Sequence, residues 1–302
     1  MTKTIEIEID QRITEVPPLP KVSIVLPSYN GSTYIKKSIE SVIAQDYTDW
    51  ELLIVDDCST DETLQIARAY AEKDARIKVH HNETNQKLPE SLNIGFRQAT
   101  GEYFTWTSDD NWYMENAIGT MVGYLDKNSE TGLCYADYRY VDAQDQITGE
   151  HESLAPNQIP FCNVVGACFM YRRNVAEAVG EYDKTLFLAE DYDYWLRISS
   201  KTKLSHIPEI LYCYRQHDKS LSQTRHMSVC DATSRAWENS WDYLVKEAKK
   251  QKSLPAFLEH YYEFAADKKR AEEKIKSIGL LTAIRMARYL KESKQENSRT
   301  EE

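Results

Sequence analysis

Two short runs settle most of what this chain can fold into. VSIVL at 22–26 and ELLIVDD at 51–57 are nearly unbroken apolar stretches rich in β-branched residues. Such runs suit strands buried on both faces, the condition of a parallel sheet covered by helices. Helical spacing follows each. Ile35, Ile39 and Ile43 recur behind Ser32 as N-cap, and Ser59 with Glu62 three positions on reads as a capping box opening a second helix. RIKVHH at 76–81, a helical stretch from Pro89 to Ala99 and EYFTWTSDD from Glu102 add a third strand, a third helix and a fourth strand. This alternation predicts an α/β fold, a mostly parallel sheet flanked by helices, with right-handed crossovers.

The rest of the chain divides around that core. Residues 1–20 carry alternating Ile5, Ile7 and Ile9 and end in Pro17, Pro18 and Pro20, a tail or edge strand and then a linker. A first half is expected over 21–110 and a second, less regular half over 111–222, with a polar loop to Pro160, the apolar run VVGACFMY and then AEDYDYWLRIS. From 223 to 302 a helical C-terminal extension is expected, with Trp237, Trp241, Leu244 and Val245 near helical spacing. Near its end Leu280, Ala283, Ile284, Ala287 and Leu290 share one helical face, with Arg285, Arg288 and Lys291 elsewhere. That pattern suits a membrane surface; packing on the chain's own domain or on a second copy is its commoner use.

Charge and apolar content exclude some functions. A net charge of −11 argues against a nucleic-acid coat, so no nucleic-acid partner is expected. MTKTIEIEID has no apolar core of a leader, and no stretch nears the roughly 18 apolar residues of a membrane span. A cytoplasmic protein is expected, or one peripheral at the inner face of the cell membrane.

Parallel sheets bind ligands beyond the carboxyl ends of their strands, where Asp56, Asp57, Asp109 and Asp110 all fall. In SDDN at 108–111 the paired carboxylates offer hard oxygen ligands for Mg²⁺ or Mn²⁺, and equally suit a helix N-terminus. In VDD at 55–57 one acid can accept from a nucleobase or ribose while the other is structural. Glu190–Asp191 can supply a general base or simply the acids of a helix start. Arg215 and His217 alternate along an extended segment and can face one site, where imidazole binds metal and guanidinium grips diphosphate; a structural role is the ordinary alternative.

The order and register of VSIVLPSYNG, ELLIVDDCSTDET, ATGEYFTWTSDDN, LAEDYDYWLR and YCYRQH followed by SLS resembles glycosyltransferase family 2, over about residues 21–222. The resemblance implies a GT-A fold, Rossmann-like, and inverting transfer of a sugar from a nucleotide-diphosphate sugar, with UDP favoured, to an acceptor hydroxyl. It also implies Mn²⁺ or Mg²⁺ and a glycan or lipid-linked acceptor in cell-surface polysaccharide synthesis. Matched positions give Pro27, Tyr29 and Asn30 beside the nucleoside, Asp57 at the base and Asp56 close by. Asp109 goes to ribose or metal, Asp110 to metal as the DXD counterpart, and His217 and Arg215 to metal or diphosphate. Asp191 takes the place of the catalytic base, with Glu190 orienting base or acceptor. NQKLPESLN at 85–93 departs from the family, which often has a glycine there: Lys87 can reach the phosphates or stay solvated, and Asn93 can touch the nucleotide or cap backbone. Trp106, Trp112, Tyr113, Tyr192, Tyr194 and Trp195 flank the site segments, several of them as core. A sugar nucleotidyltransferase would need a Gly-rich, basic phosphate loop after the first strand, and PSYNGSTY has one glycine and no adjacent Arg. A glycoside hydrolase needs no nucleotide pocket. A non-catalytic sugar-nucleotide-binding member is the remaining alternative.

Overall fold

The computed structural model describes residues 21–217 and 226–279. The tail at 1–20 and the amphipathic face at 280–291 lie outside the described residues. Strand β1 (Val22–Ser28) and strand β2 (Trp50–Asp56) are buried along their whole length, as their apolar runs require. They alternate with helices α1 (Ile35–Ile43) and α2 (Thr63–Ala71); then come β3 (Ile77–His81), α3 (Lys87–Gln98) and β4 (Tyr103–Trp106). All pair in parallel, with Ser28 opposite Asp56 and Asp56 opposite His81, so the carboxyl ends of β1, β2 and β3 are level.

The second half contributes β5 (Trp112–Tyr113), α4 (Ala117–Lys127), β6 (Thr131–Val141), β7 (Ile147–His151), β8 (Phe169–Arg172), α5 (Arg173–Val179), α6 (Glu190–Ser199) and β9 (Lys203–Arg215). The sheet runs β3-β2-β1-β4-β8-β6-β9-β5, with β7 a hairpin on β6. Parallel pairing recurs only at β6–β9; β8, β7 and β5 run antiparallel to their neighbours. The sheet is therefore parallel in its first half and mixed in its second, because a hairpin and short returns need no crossover helix.

Each sheet face has its own core. Val25, Leu53, Val55 and Phe104 pack toward α3, α6 and the C-terminal helices, while Ile24, Leu26, Leu52 and Ile54 pack toward α1 and α4. The C-terminal helices are α7 (His226–Asn239), α8 (Trp241–Lys250), α9 (Leu254–Phe264) and α10 (Lys268–Lys276). Trp237, Trp241, Leu244 and Val245 are all buried against the first core. Among the described residues no helix is long and apolar enough to cross a membrane.

Two local expectations are corrected. Val42, not Ile43, completes the buried face of α1, and Ile43 is 38% exposed. The Ser59–Glu62 capping box does not form: Asp61 Oδ1 accepts the Thr63 N–H at 3.0 Å, one register step inside. The Ser59 hydroxyl instead accepts the Asn30 N–H at 2.9 Å and ties the loops after β1 and β2 together. Ser32 likewise makes no side-chain cap; its N–H donates to Asp61 Oδ2 at 3.1 Å.

Candidate active site

The loop after β4 presents Asp109 and Asp110 in different directions. Asp109 faces the end of β1, where the Ser28 hydroxyl and the Tyr29 N–H donate to it. A Cβ on Gly31 would fall 2.0 Å from Asp109 Oδ2, so only glycine lets the β1 loop pass this carboxylate. Burial, then the charge of Asp110, pushes the Asp109 carboxyl up to about 7. Asp110 turns toward β9, with Oδ2 3.0 Å from His217 Nε2 and each side chain partly open to solvent. The His217 ring lies 5.4 Å from that of Tyr34.

Arg215 sits behind this pair and is almost wholly buried. Its Nε donates to the Asp110 carbonyl at 3.0 Å, a second nitrogen donates to the Asp142 carbonyl at 2.9 Å, and the third pairs with Asp145 Oδ1 at 2.5 Å. Its own N–H donates to Asn111 Oδ1 at 2.7 Å. Lys37 meets the other Asp145 oxygen at 2.5 Å and lies 3.5 Å over the Trp112 ring. These bonds clamp the β6–β7 turn onto the SDDN segment.

The acids at the end of β2 point inward. Asp57 Oδ1 accepts from the Asn82 amide at 2.8 Å and the Gln86 N–H at 2.7 Å, and Oδ2 from the Lys87 N–H at 2.8 Å, which fixes the start of α3. Asp56 is fully buried; Oδ2 meets His81 Nδ1 at 2.7 Å, while Oδ1 has no hydrogen-bond partner. An orphaned buried carboxylate oxygen is costly unless something donates to it. Pro27 is the penultimate residue of β1, and Tyr29 beyond it is 53% exposed. Asn30, with φ at 56°, accepts the Thr60 N–H at 2.8 Å through Oδ1. A cleft of about 560 Å³ opens beside these loops, lined by Ser32, Ser59, Thr60, Asp61 and Arg68 among others. A smaller one, about 260 Å³ between Arg197, Trp241 and Lys274, lies away from the acids.

Glu190 and Asp191 form the first turn of α6. Glu190 is buried, Oε2 accepts the Leu188 N–H at 2.7 Å, and its pKa is raised by burial and by Asp191. Asp191 is raised mainly by burial, against hydrogen bonds from Tyr192 and Asn163 that lower it. Tyr182, in the loop ahead of α6, stacks on Tyr194 of that helix with ring centroids 3.9 Å apart and accepts from Trp106 Nε1 at 3.2 Å, linking α6 to the end of β4. Lys87 is exposed, with Nζ 5.8 Å from the Phe187 ring just ahead of α6. Asn93 bonds Tyr182 both ways, to its carbonyl at 2.9 Å and from its N–H at 2.8 Å, and so joins the two halves. Of the flanking rings, Tyr113, Tyr192, Tyr194 and Trp195 are core, and Trp106 and Trp112 stay partly accessible.

The structure thus brings together Asp109, Asp110 and His217, with Asp56, Asp57, Tyr29 and Asn30 on the same rim, and sets Asp191 and Glu190 on the other half. Ser28, Gly31, Asp145 and Asn163 escaped the sequence reading; only Gly31 had a local signal, in the turn PSYNG. Among the described residues no three His, Cys, Asp or Glu side chains lie close enough to hold a metal by themselves. Asp110 with His217, beside Asp109, fits a Mg²⁺ or Mn²⁺ whose shell is completed by phosphate and water.

A sheet that is parallel up to a DD loop and mixed beyond it, with a second acid at a helix start, defines the GT-A class of glycosyltransferase. Solved structures share the architecture. S. aureus TarS in complex with UDP-GlcNAc matches with a TM-score of 0.67 at 20% identity over 86% of this chain and 82% of that one. The Pyrobaculum calidifontis mannosyltransferase in complex with GDP-Man and Mn²⁺ matches with a TM-score of 0.61 at 16% identity, over 93% and 83%. A glycosyltransferase of Rickettsia typhi is 28% identical over 247 residues, 78% of this chain and 74% of its own. The model of glycosyl transferase family 2 matches residues 23–180, more than half of the chain, which belongs to that family and is an enzyme of it.

Proposed function

We propose that the protein is a metal-dependent, inverting glycosyltransferase that moves a sugar from a nucleotide-diphosphate sugar, UDP favoured, to a hydroxyl of a glycan or lipid-linked acceptor. The observation that carries this reading is the 3.0 Å approach of Asp110 Oδ2 to His217 Nε2 beside Asp109, at the end of β4. The donor side is residues 21–110 and the acceptor side 111–222. Asp57 stands at the nucleobase with Asp56 close by, and Tyr29 and Pro27 flank the nucleoside. Asp57 supports that pocket by holding the loop at 82–87. Asp110 and His217 would hold the metal, with Asp109 toward ribose or metal; when bound it neutralises charge on the departing diphosphate.

Asp191 takes the proton from the acceptor hydroxyl. The acceptor oxygen bonds to the anomeric carbon as the bond from that carbon to the diphosphate oxygen breaks, and attack from the opposite face inverts the configuration. Glu190 holds the strained approach to α6, where Leu188 has φ at 83°, and so fixes the base. Arg215 serves the diphosphate from behind, by holding the Asp110 carbonyl.

The test is a panel of UDP- and GDP-sugars with Mn²⁺, read first by thermal shift and then by NMR of the product. A true donor at about 100 Kd adds about 2.7 kcal/mol of stability. A UDP-sugar should shift the protein most, and an α-linked donor should give a β-linked product. No shift with any nucleotide sugar, or a retained configuration, would contradict the proposal.

A further inference from the structure

A base must be oriented as well as ionised, and Asp191 is held by two donors. Oδ1 accepts the Tyr192 N–H at 2.7 Å, and Oδ2 accepts from Nδ2 of Asn163 at 2.8 Å. Asn163 cannot turn its amide round without loss, because its Oδ1 accepts the N–H groups of Val165 at 3.2 Å and Gly166 at 3.4 Å. The turn itself is fixed: Gly166 has φ at 63°, and a Cβ there would lie 2.9 Å from the Tyr138 ring. Asn163 is exposed, so it fills no core position.

The loop carrying this turn is braced from the C-terminal helices. Tyr192 donates its hydroxyl to the Ile159 carbonyl at 2.6 Å and accepts from Trp237 Nε1 of α7 at 2.8 Å. His260 Nε2 of α9 lies 3.1 Å from the Phe161 carbonyl, and Gln251 donates to the Asn157 carbonyl at 3.1 Å.

We infer that Asn163 is a positioning residue for Asp191: its amide, locked by the 163–166 turn, holds Oδ2, and helices α7 and α9 serve catalysis by bracing the loop that carries it. The inference rests on the reading of Asp191 as base. Besides Asn163, the groups facing Asp191 are Glu190 on its own helix and the phenols of Tyr182 and Tyr192. Loss of the Asn163 donor therefore leaves the carboxylate with backbone donors alone against burial, and its titration moves to higher pH.

The discriminating variant is Asn163→Asp, which keeps the acceptor for Val165 and Gly166 but replaces the donor to Asp191 with an acceptor. Asn163→Ala removes both. Asp191 is titrated in the free protein by ¹³C NMR of labelled aspartate, assigned with Asp191→Asn, and turnover is followed with the nucleotide sugar selected by thermal shift. In both variants the Asp191 titration should move upward and kcat fall roughly 10- to 100-fold, the cost of misplacing a reacting group, while donor KM stays within about twofold. An unchanged titration overturns the inference. So does a rise in donor KM at constant kcat, which would make Asn163 a donor contact. A shifted titration in a protein that turns over no nucleotide sugar upholds the Asn163–Asp191 pairing and removes the glycosyl-transfer reading instead.

Discussion

The two halves of the sheet build their parts of the site by different means. In the first half the side chains sit just past the ends of β1, β2 and β4, and backbone pairing levels the first two: Ser28 stands opposite Asp56, and the Asp57 N–H donates to the Ser28 carbonyl at 2.8 Å. In the second half the acids open a helix, and their placement depends on a loop, a hairpin and helices from beyond residue 225. A parallel sheet supplies a site cheaply wherever its strands stop. The mixed half must be braced by contacts distant in sequence.

Trp237→Ala gives the largest expected effect, because it cuts that brace. The ring is fully buried and its Nε1 supports Tyr192, so urea unfolding should show a loss of about 3–5 kcal/mol. Variant that remains folded should bind UDP and Mn²⁺ like the parent but turn over more slowly; equal loss of both would erase the distinction between halves.

Arg215→Met tests the clamp where the halves meet at SDDN. Removing a group that orients a metal ligand typically costs about 10–100-fold in metal affinity, here measurable by Mn²⁺ EPR. Unchanged Mn²⁺ affinity with weaker UDP binding would return Arg215 to direct contact with the diphosphate. Asn93→Ala removes both bonds to the Tyr182 backbone and leaves two buried groups unpaired, an expected loss of about 1–3 kcal/mol in denaturant titration. If the cost is smaller, the halves are held by apolar packing alone.

The smallest effect concerns pH. Asp191 and Glu190 are both raised, so the ionised base is lost as pH falls through a value above the ordinary carboxylate range. The acid limb of kcat should lie there, and Glu190→Gln, which replaces a carboxyl that burial and the Asp191 charge already hold protonated, should leave it in place. A limb at the ordinary carboxylate value would exclude a base in this setting.

The same contrast governs what could be read from the chain. VSIVL and ELLIVDD declare their strands because burial on both faces demands continuous apolar sequence. TGLCYADYRYV gives no such signal: β6 is buried through pairing with β8 and β9, and Asp137 is tolerated inside because it meets His206 at 2.6 Å and accepts the Ser153 N–H at 2.8 Å. The meeting of Asp110 with His217 after β4, and Asp191 in the first turn of α6, were legible from motif order. Asn163 was not, since its partner is 28 residues away and its lock is a backbone turn. The capping box failed because both of its Ser59 groups are engaged elsewhere: the hydroxyl accepts the Asn30 N–H and the Ser59 N–H donates to Asp56 Oδ2 at 3.3 Å.

The division of labour between the halves is tested most directly by Asp191→Asn, with UDP binding measured by calorimetry in Mn²⁺ alongside turnover of the donor. Turnover should fall by about 10²–10⁴-fold, the usual contribution of a general base, while UDP affinity stays within about threefold of the parent. Loss of UDP binding together with turnover would make Asp191 part of the donor site and contradict the account.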